Sequence, residues 1–369
     1  MPLSFVSKLK NASNVFTFRD FILVPGRSEV EPRDISLASH LTRKITLELP
    51  FVSSPMDTVT ESRLALEMAR LGGVGVIHRN LSIEDQVEEV KKVKASKMKV
   101  KSIDPDGRPL VGASISPMDA KRCEALDKVA DFLVADVAHF HNSNVLKAAA
   151  KIIPNLTREF IAGNIGTKRA VHDIAAELPR VDGFRVGIGS GSVCITSEVT
   201  RVGAPTLFAV AEVATAVSEL NLDVPIIADG GIRGSGDASL AFAAGASTVM
   251  LGSVLAGTDE SPSKVILKNG RKMKVHRGMA SAAARKARFA LDRYSVPAKG
   301  LDEGVEAYVT YAGSAEDVLD DLANGLRASF GYAGAKSIRD LWGVATFGLV
   351  SAVGYTELGV HSLTLKGGT

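Results

Sequence analysis

The feature that most constrains this chain is an alternation. Short, nearly uninterrupted apolar runs recur at 51–54, 73–78, 109–114, 131–136, 158–164, 183–187, 225–229 and 247–252. Most are separated by helical lengths of about 20–30 residues. A strand that is apolar on both faces must be covered on both faces. A helix after each strand does this and makes neighbouring strands parallel. Eight such units predict an α/β fold of the (β/α)8 TIM-barrel type, with a doubly wound open sheet as the alternative. At 369 residues and 46% hydrophobic, the chain can fill one large barrel core as a single domain.

Composition removes several function classes. A net charge of +3 with both signs interspersed leaves no basic footprint for nucleic acid. Two cysteines cannot form a disulfide framework, so a reducing, cytoplasmic setting is expected. The first 16 residues lack the apolar stretch of a signal peptide. The uncharged run 238–257 approaches the length of a membrane span, but Gly245 and Gly252 punctuate it and Asp229 and Asp259 flank it. It is expected to be a buried helix followed by a buried strand, with no membrane as partner.

Around the eight units, residues 1–50 read as an arm packed on the core. Thr58 with Glu61, Ser82 with Asp85, and Ser314 with Asp317 have the spacing of helix caps. Asp104-Pro105-Asp106-Gly107 marks a turn in a basic connector at 91–108. The excursion 258–313 follows strand eight and holds a hairpin signal at Asn269-Gly270. Its length and position predict a mobile flap over the barrel mouth. The tail, 345–369, has no pattern of its own.

Chemistry-bearing residues gather where strands end. In order these are Ser54 and Met56, His78, Ser114, Asp136, Asn164, the loop from Gly187 to Cys194, Asp229-Gly230-Gly231, and Gly252-Ser253. In a TIM barrel that face holds the active site, and the loops after strands seven and eight often bind phosphate. The loop Gly187-Ile188-Gly189-Ser190-Gly191-Ser192-Val193-Cys194-Ile195-Thr196 is stripped of bulk, so its backbone can approach a ligand closely. It delivers a thiol, with a hydroxyl two residues later. An ordinary thiol is mostly protonated at neutral pH, so nucleophilic attack by Cys194 needs help, for which Thr196 is the nearest candidate.

Taken together, the cysteine loop, Ser53-Ser54-Pro55-Met56-Asp57-Thr58-Val59-Thr60-Glu61, Gly163-Asn164, Ala228-Asp229-Gly230-Gly231-Ile232 and Gly278-Met279 resemble the IMP dehydrogenase/GMP reductase family. The resemblance runs from about residue 18 to 362. It implies a TIM barrel acting on a purine nucleoside monophosphate with a nicotinamide cofactor, in guanine nucleotide synthesis. It implies that Cys194 adds to purine C2. Ser54, Met56, Ser192, Asp229, Gly230, Gly231, Gly252, Ser253 and His276 would hold the nucleotide, and Gly278, Met279 and Glu303 would meet the base. Asp136, Asn164, Arg185 and Gly187 would line the NAD side. Carbonyls of Gly189, Gly191 and Cys194 would bind K+, completed by Glu357, Leu358 and Gly359 of a neighbouring subunit in a homotetramer or octamer. Arg293 and Tyr294 on the flap would activate the hydrolytic water, helped by a Thr196–Glu303 relay.

The sequence departs from the family pattern at four places. Ala280 replaces a glycine expected in dehydrogenases, and Asp136-Val137-Ala138 also leans toward the reductases. His276 stands where a phosphate-binding tyrosine is usual, and Phe140 replaces a glycine in the cofactor loop. The 91–108 connector carries no CBS module pair. Three activities therefore stay open: IMP oxidation to XMP with NAD, GMP reduction with NADPH, and purine-nucleotide binding without turnover.

Overall fold

Each apolar run becomes a strand buried on both sides, and the eight strands close into a cylinder. A computed structural model of the chain describes residues 5–286 and 302–359. The barrel strands are β1 (Phe51–Ser53), β2 (Val74–Ile77), β3 (Val111–Ile115), β4 (Phe132–Ala135), β5 (Glu159–Ile165), β6 (Gly183–Val186), β7 (Ile226–Asp229) and β8 (Thr248–Leu251). Neighbours are parallel, and the ring closes where Val249 of β8 pairs with Phe51 of β1. Closure leaves no free edge, so the open-sheet alternative falls.

The covering helices follow in turn: α1 (Ser62–Leu71), α2 (Ile83–Lys94), α3 (Ala120–Asp127), α4 (Ser143–Ile152), α5 (Lys168–Glu177), α6 (Thr206–Glu219), α7 (Ser235–Ala243) and α8 (Ala315–Ala333). Ser82 caps α2 by accepting the Asp85 N–H at 3.0 Å, and Ser314 caps α8 in the same way. The Thr58–Glu61 cap does not form. Helix α1 starts later, at Ser62, and Glu61 makes no side-chain cap. The Thr58 hydroxyl is instead bonded to His276 and to the Arg277 N–H, contacts that only the folded chain supplies. The run 238–257 splits as expected into the end of α7 and β8. Among the described residues no helix is long and apolar enough to cross a membrane.

The core has two layers. Residues between barrel and helices form the larger one. The inner layer combines Val52, Val74, Val76, Phe132, Val134, Ile161, Ile227 and Met250 with Leu41 and Leu47 of the arm. Leu41 and Leu47 belong to a hairpin, Ser39–His40 paired with Thr46–Leu47, that closes one end of the cylinder. Its Thr42 bonds Glu159 and its Arg43 N–H bonds the Asp182 carbonyl, at the starts of β5 and β6. The plug therefore sits at the N-terminal end, opposite the mouth.

The tail, patternless in sequence, pairs with the arm. Phe21–Val24 and Thr346–Leu349 form an antiparallel ribbon, and the helix Ala352–Glu357 packs on the turn Phe18–Asp20. Described parts of the excursion form a three-stranded sheet: Val265–Lys268, Arg271–Arg277 and Glu306–Thr310. Asn269 and Gly270 both have positive φ, +50° and +74°, which is the two-residue hairpin turn their sequence signals.

Candidate active site

The mouth of the barrel opens into a cleft enclosing ≈ 1040 Å³, its open entrance included. Cys194 is half-buried on its wall. The cysteine loop does not hang free: Ile195 N–H donates to the Glu303 carbonyl and Val305 N–H to the Val193 carbonyl, both at 3.0 Å. The loop thus makes an antiparallel bridge, Cys194 to Gly304, with the segment that leads into Glu306–Thr310, and this pairing fixes Glu303 beside it.

A proton path results. The Cys194 thiol donates to Thr196 Oγ1 at 3.2 Å, and Thr196 Oγ1 donates to Glu303 Oε2 at 3.0 Å. A hydroxyl has one proton, so a threonine that gives it to a carboxylate receives from the thiol. Glu303 is 4% exposed and lines the cleft.

The floor is a buried ladder of charges. The Arg185 guanidinium donates to Asp229 at 2.8 Å and to Asp136 at 3.2 Å. Burial opposes its charge, but Asp229 and Asp136 outweigh this and its pKa is raised. Asn164 Nδ2 donates to Asp229 at 2.8 Å and to the Gly187 carbonyl at 2.9 Å. A Cβ on Gly187 would meet the Asp229 carbonyl at 2.2 Å, so only glycine fits that crossing. Gly230 and Gly231 have φ of +94° and +76°, and they turn the chain away from Asp229 under the cysteine loop.

The cleft's other wall carries Ser54, Met56, Gly252, Ser253, His276, Gly278 and Met279. His276 is 1% exposed and bonds Thr58 through Nδ1 at 3.1 Å. Burial pushes its pKa down to about 4 against the opposing pull of Asp57, so it is neutral at neutral pH. Asp57 itself is gripped by the Arg277 guanidinium and by Asn80. The Asp57 N–H points at the Met279 sulfur, 3.4 Å away.

The sequence that builds this cleft matches known proteins over nearly the whole chain. The model of the IMP dehydrogenase / GMP reductase domain matches residues 15–361. The chain belongs to the IMP dehydrogenase/GMP reductase family. Among its relatives, the inosine-5'-monophosphate dehydrogenase of Cryptosporidium parvum is 38% identical, over 96% of this chain and 97% of the relative. That of Borreliella burgdorferi is 39% identical, over 90% and 93%. That of Korarchaeum cryptofilum is 37% identical, over 94% and 96%. The Korarchaeum alignment runs over 461 residues against 369 in this chain, so that family member carries extra length inside the match. The 91–108 connector, where the family's CBS pair would enter, is filled here by the end of α2 and the Asp104 turn, whose carboxylate holds Lys94 and Arg108.

Most residues that the family resemblance points to converge on this cleft. Ser54, Met56, Asp136, Asn164, Arg185, Gly187, Gly189, Gly191, Ser192, Cys194, Thr196, Asp229, Gly230, Gly231, Gly252, Ser253, His276, Gly278, Met279 and Glu303 all line it. Two strand-end positions do not. His78 is turned away and bonded to Glu61 and the Asn80 N–H, and Ser114 is sealed between strands and helix. Phe140 is buried against Phe160 rather than facing the cleft. Glu357, Leu358 and Gly359 lie outside the cleft, the first two exposed at the end of the helix Ala352–Glu357. Arg293 and Tyr294 lie outside the described residues.

Three contributors escaped the sequence reading. Arg79, fully buried, donates to the Asp136 carbonyl at 2.9 Å and extends the charge ladder. Thr206 Oγ1 contacts the carbonyls of both Asp229 and Gly230 at 2.8 Å. Thr58 holds His276. Arg79 carried a signal, since it directly follows the strand-end His78. Thr58 carried only its cap-like spacing and its place in the Ser53–Glu61 stretch, and Thr206 carried none.

Proposed function

We propose that this protein oxidises IMP to XMP with NAD, using Cys194 as the nucleophile. The carrying observation is the Cys194–Thr196–Glu303 hydrogen-bonded line at the cleft. The relatives reported above, matched over nearly all of both chains, are named for IMP oxidation.

The chemistry runs as follows. The Cys194 sulfur bonds to purine C2 while its proton leaves through Thr196 toward Glu303. Asp136, Asn164, Arg185 and Gly187 would hold NAD, which would supply an acceptor for the hydride that departs from C2. The resulting thioimidate on Cys194 is attacked by water, the C–S bond breaks, and the thiol is restored with XMP released. Net, IMP, water and NAD give XMP, NADH and a proton. Arg293 and Tyr294, which lie outside the described residues, are assigned to that water. An arginine needs help as a base, because its free pKa exceeds about 12.

The residues fit both absent groups. Asp136 on the cofactor wall is neutralised by Arg79 and Arg185, so it does not repel a dinucleotide's phosphates. For K+, the Gly191 carbonyl accepts the Cys194 N–H but keeps a second lone pair. Gly189, Gly191 and Cys194 would supply oxygens, and residues 357–359 of a second copy would complete the shell in a tetramer or octamer.

A second reading, GMP reduction with NADPH, is favoured by Ala280, which lines the cleft next to Met279. One pair of assays in potassium buffer separates them. IMP with NAD is expected to generate NADH absorbance, abolished in Cys194→Ser. NADPH consumption with GMP, and none of NAD with IMP, would overturn the first reading. Tight IMP binding without turnover under either condition would make the protein a binding paralogue.

A further inference from the structure

The family pattern has glycine at position 140, and this chain has phenylalanine there. The change alters how the loop 136–142, between β4 and α4, is held. Asp136, Val137 and Ala138 line the cleft on the side assigned to the dinucleotide. Two residues further on, the chain turns inward. Phe140 is completely buried in the layer between barrel and helices, its ring 6.0 Å from that of Phe160 on β5. A glycine would offer the core nothing at this point.

The ring completes a set of anchors. The Phe140 N–H donates to the Asn164 carbonyl at 3.0 Å, and the Asn164 N–H donates to the Val137 carbonyl at 3.4 Å. Val137 is itself 2% exposed. Beyond the ring, His141 Nε2 donates to Asp173 of α5 at 2.8 Å. With positions 137, 140 and 141 fixed, Ala138 is left at the cleft and His139 is left exposed. Backbone hydrogen bonds at a loop exchange readily with water, so they hold it weakly. The buried ring holds it firmly. Lifting a phenylalanine out of a core shifts such a docking equilibrium by about 10-fold to 100-fold.

We infer that Phe140 is a positioning residue for the cofactor: its buried ring keeps the 136–142 loop docked, so the wall that meets the dinucleotide is formed before the dinucleotide arrives. This deepens the proposed function and rests on its reading that Asp136, Asn164, Arg185 and Gly187 face NAD. A ligand that needs the docked loop binds in proportion to the docked fraction. Loss of the ring therefore weakens NAD and leaves IMP, assigned to the opposite wall, nearly untouched.

The test is calorimetric titration of NAD into Cys194→Ser protein saturated with IMP, where no turnover intervenes, and of IMP into the same protein alone. Phe140→Gly is expected to weaken NAD by about fivefold or more and IMP by less than about twofold. Phe140→Leu, which refills the core site, is expected to recover most of the NAD affinity. In the unliganded protein, amide hydrogen exchange over 137–142 should quicken by about 10-fold in Phe140→Gly, with the barrel strands unchanged. Asp173→Ala releases the His141 anchor at a partly exposed site and carries the test where Phe140→Gly does not fold. It should weaken NAD by a smaller factor, with IMP again unmoved. Equal losses for NAD and IMP, or faster exchange throughout the barrel, would make Phe140 an ordinary core residue and overturn the inference, as would unchanged NAD affinity. Protein that binds GMP and NADPH but not IMP and NAD would sink the proposed function, and the same variants titrated with NADPH would then decide the inference. Protein that binds neither dinucleotide would sink both. The expected binding pattern with no NADH from the wild type would sink only the function.

Discussion

A thiol that must shed its proton in a half-buried loop depends on what lies within hydrogen-bond reach of the sulfur. Here it is one hydroxyl, itself tied to one carboxylate. Thr196→Val keeps the volume but cuts the path. The expected outcome is a fall of about 100-fold in kcat for IMP oxidation, the scale on which positioned proton transfer contributes. Cys194 should still be alkylated by iodoacetamide, which shows that the loop stays open. A kcat within a few-fold of wild type would remove Thr196 from the mechanism. Residues of this kind were legible because their partners are near in sequence or in a recognisable motif: Cys194 and Thr196 are two apart, and Glu303 follows the Gly278-Met279 signature. Arg79 was legible only as the neighbour of the strand-end His78; its role comes from Asp136, which follows a different strand 57 positions away. Thr58 was misread as a cap for the same reason, its true partner being 218 positions distant.

At the scale of elements, the site depends on the excursion docking against the cysteine loop. Gly278 is the tightest point of that contact. A Cβ there would lie 2.8 Å from the Val193 carbonyl oxygen and 3.1 Å from the Gly304 Cα, and both are backbone. Neither can swing aside as a side chain would, so Gly278→Ala must shift the cysteine loop against Glu303. A displacement near 1 Å at a reacting group costs on the order of 100-fold in rate. Gly278→Ala is therefore expected to lose most of its turnover while keeping its circular dichroism spectrum. Gly236→Ala is the control: it sits in α7, its added methyl meets nothing within 4 Å, and it should be neutral or gain about 0.5–1 kcal/mol. Equal activity in the two variants would show that the docking does not set the site. The strand-and-helix alternation of the barrel was readable element by element because both faces of each strand are buried, leaving an apolar run that no surface pattern interrupts. The pairing of arm with tail was not readable. Its strands are only four residues long and hold no fully buried residue, and each is marginal without the other.

Over the whole molecule, stability and chemistry occupy opposite ends of the cylinder. The mouth holds glycine loops, a buried charge ladder and the thiol. The far end holds the 39–47 hairpin, whose Leu41 and Leu47 are fully or almost fully buried among the inward-facing side chains of the barrel. An arm residue thus fills the place where a barrel would otherwise leave a void, and filling it contributes to every strand at once. Leu41→Ala removes that filling at a residue that does not itself line the cleft. Large-to-small changes at such sites cost about 2–5 kcal/mol, a sizeable share of the roughly 5–15 kcal/mol by which a domain is stable. Urea denaturation should therefore show a clearly lowered midpoint for Leu41→Ala. Assayed below that transition, its kcat and its KM for IMP should match wild type. A parallel loss of activity at full folding would mean that the plug and the mouth are mechanically coupled through the strands. The division of labour between the two ends would then have to be abandoned.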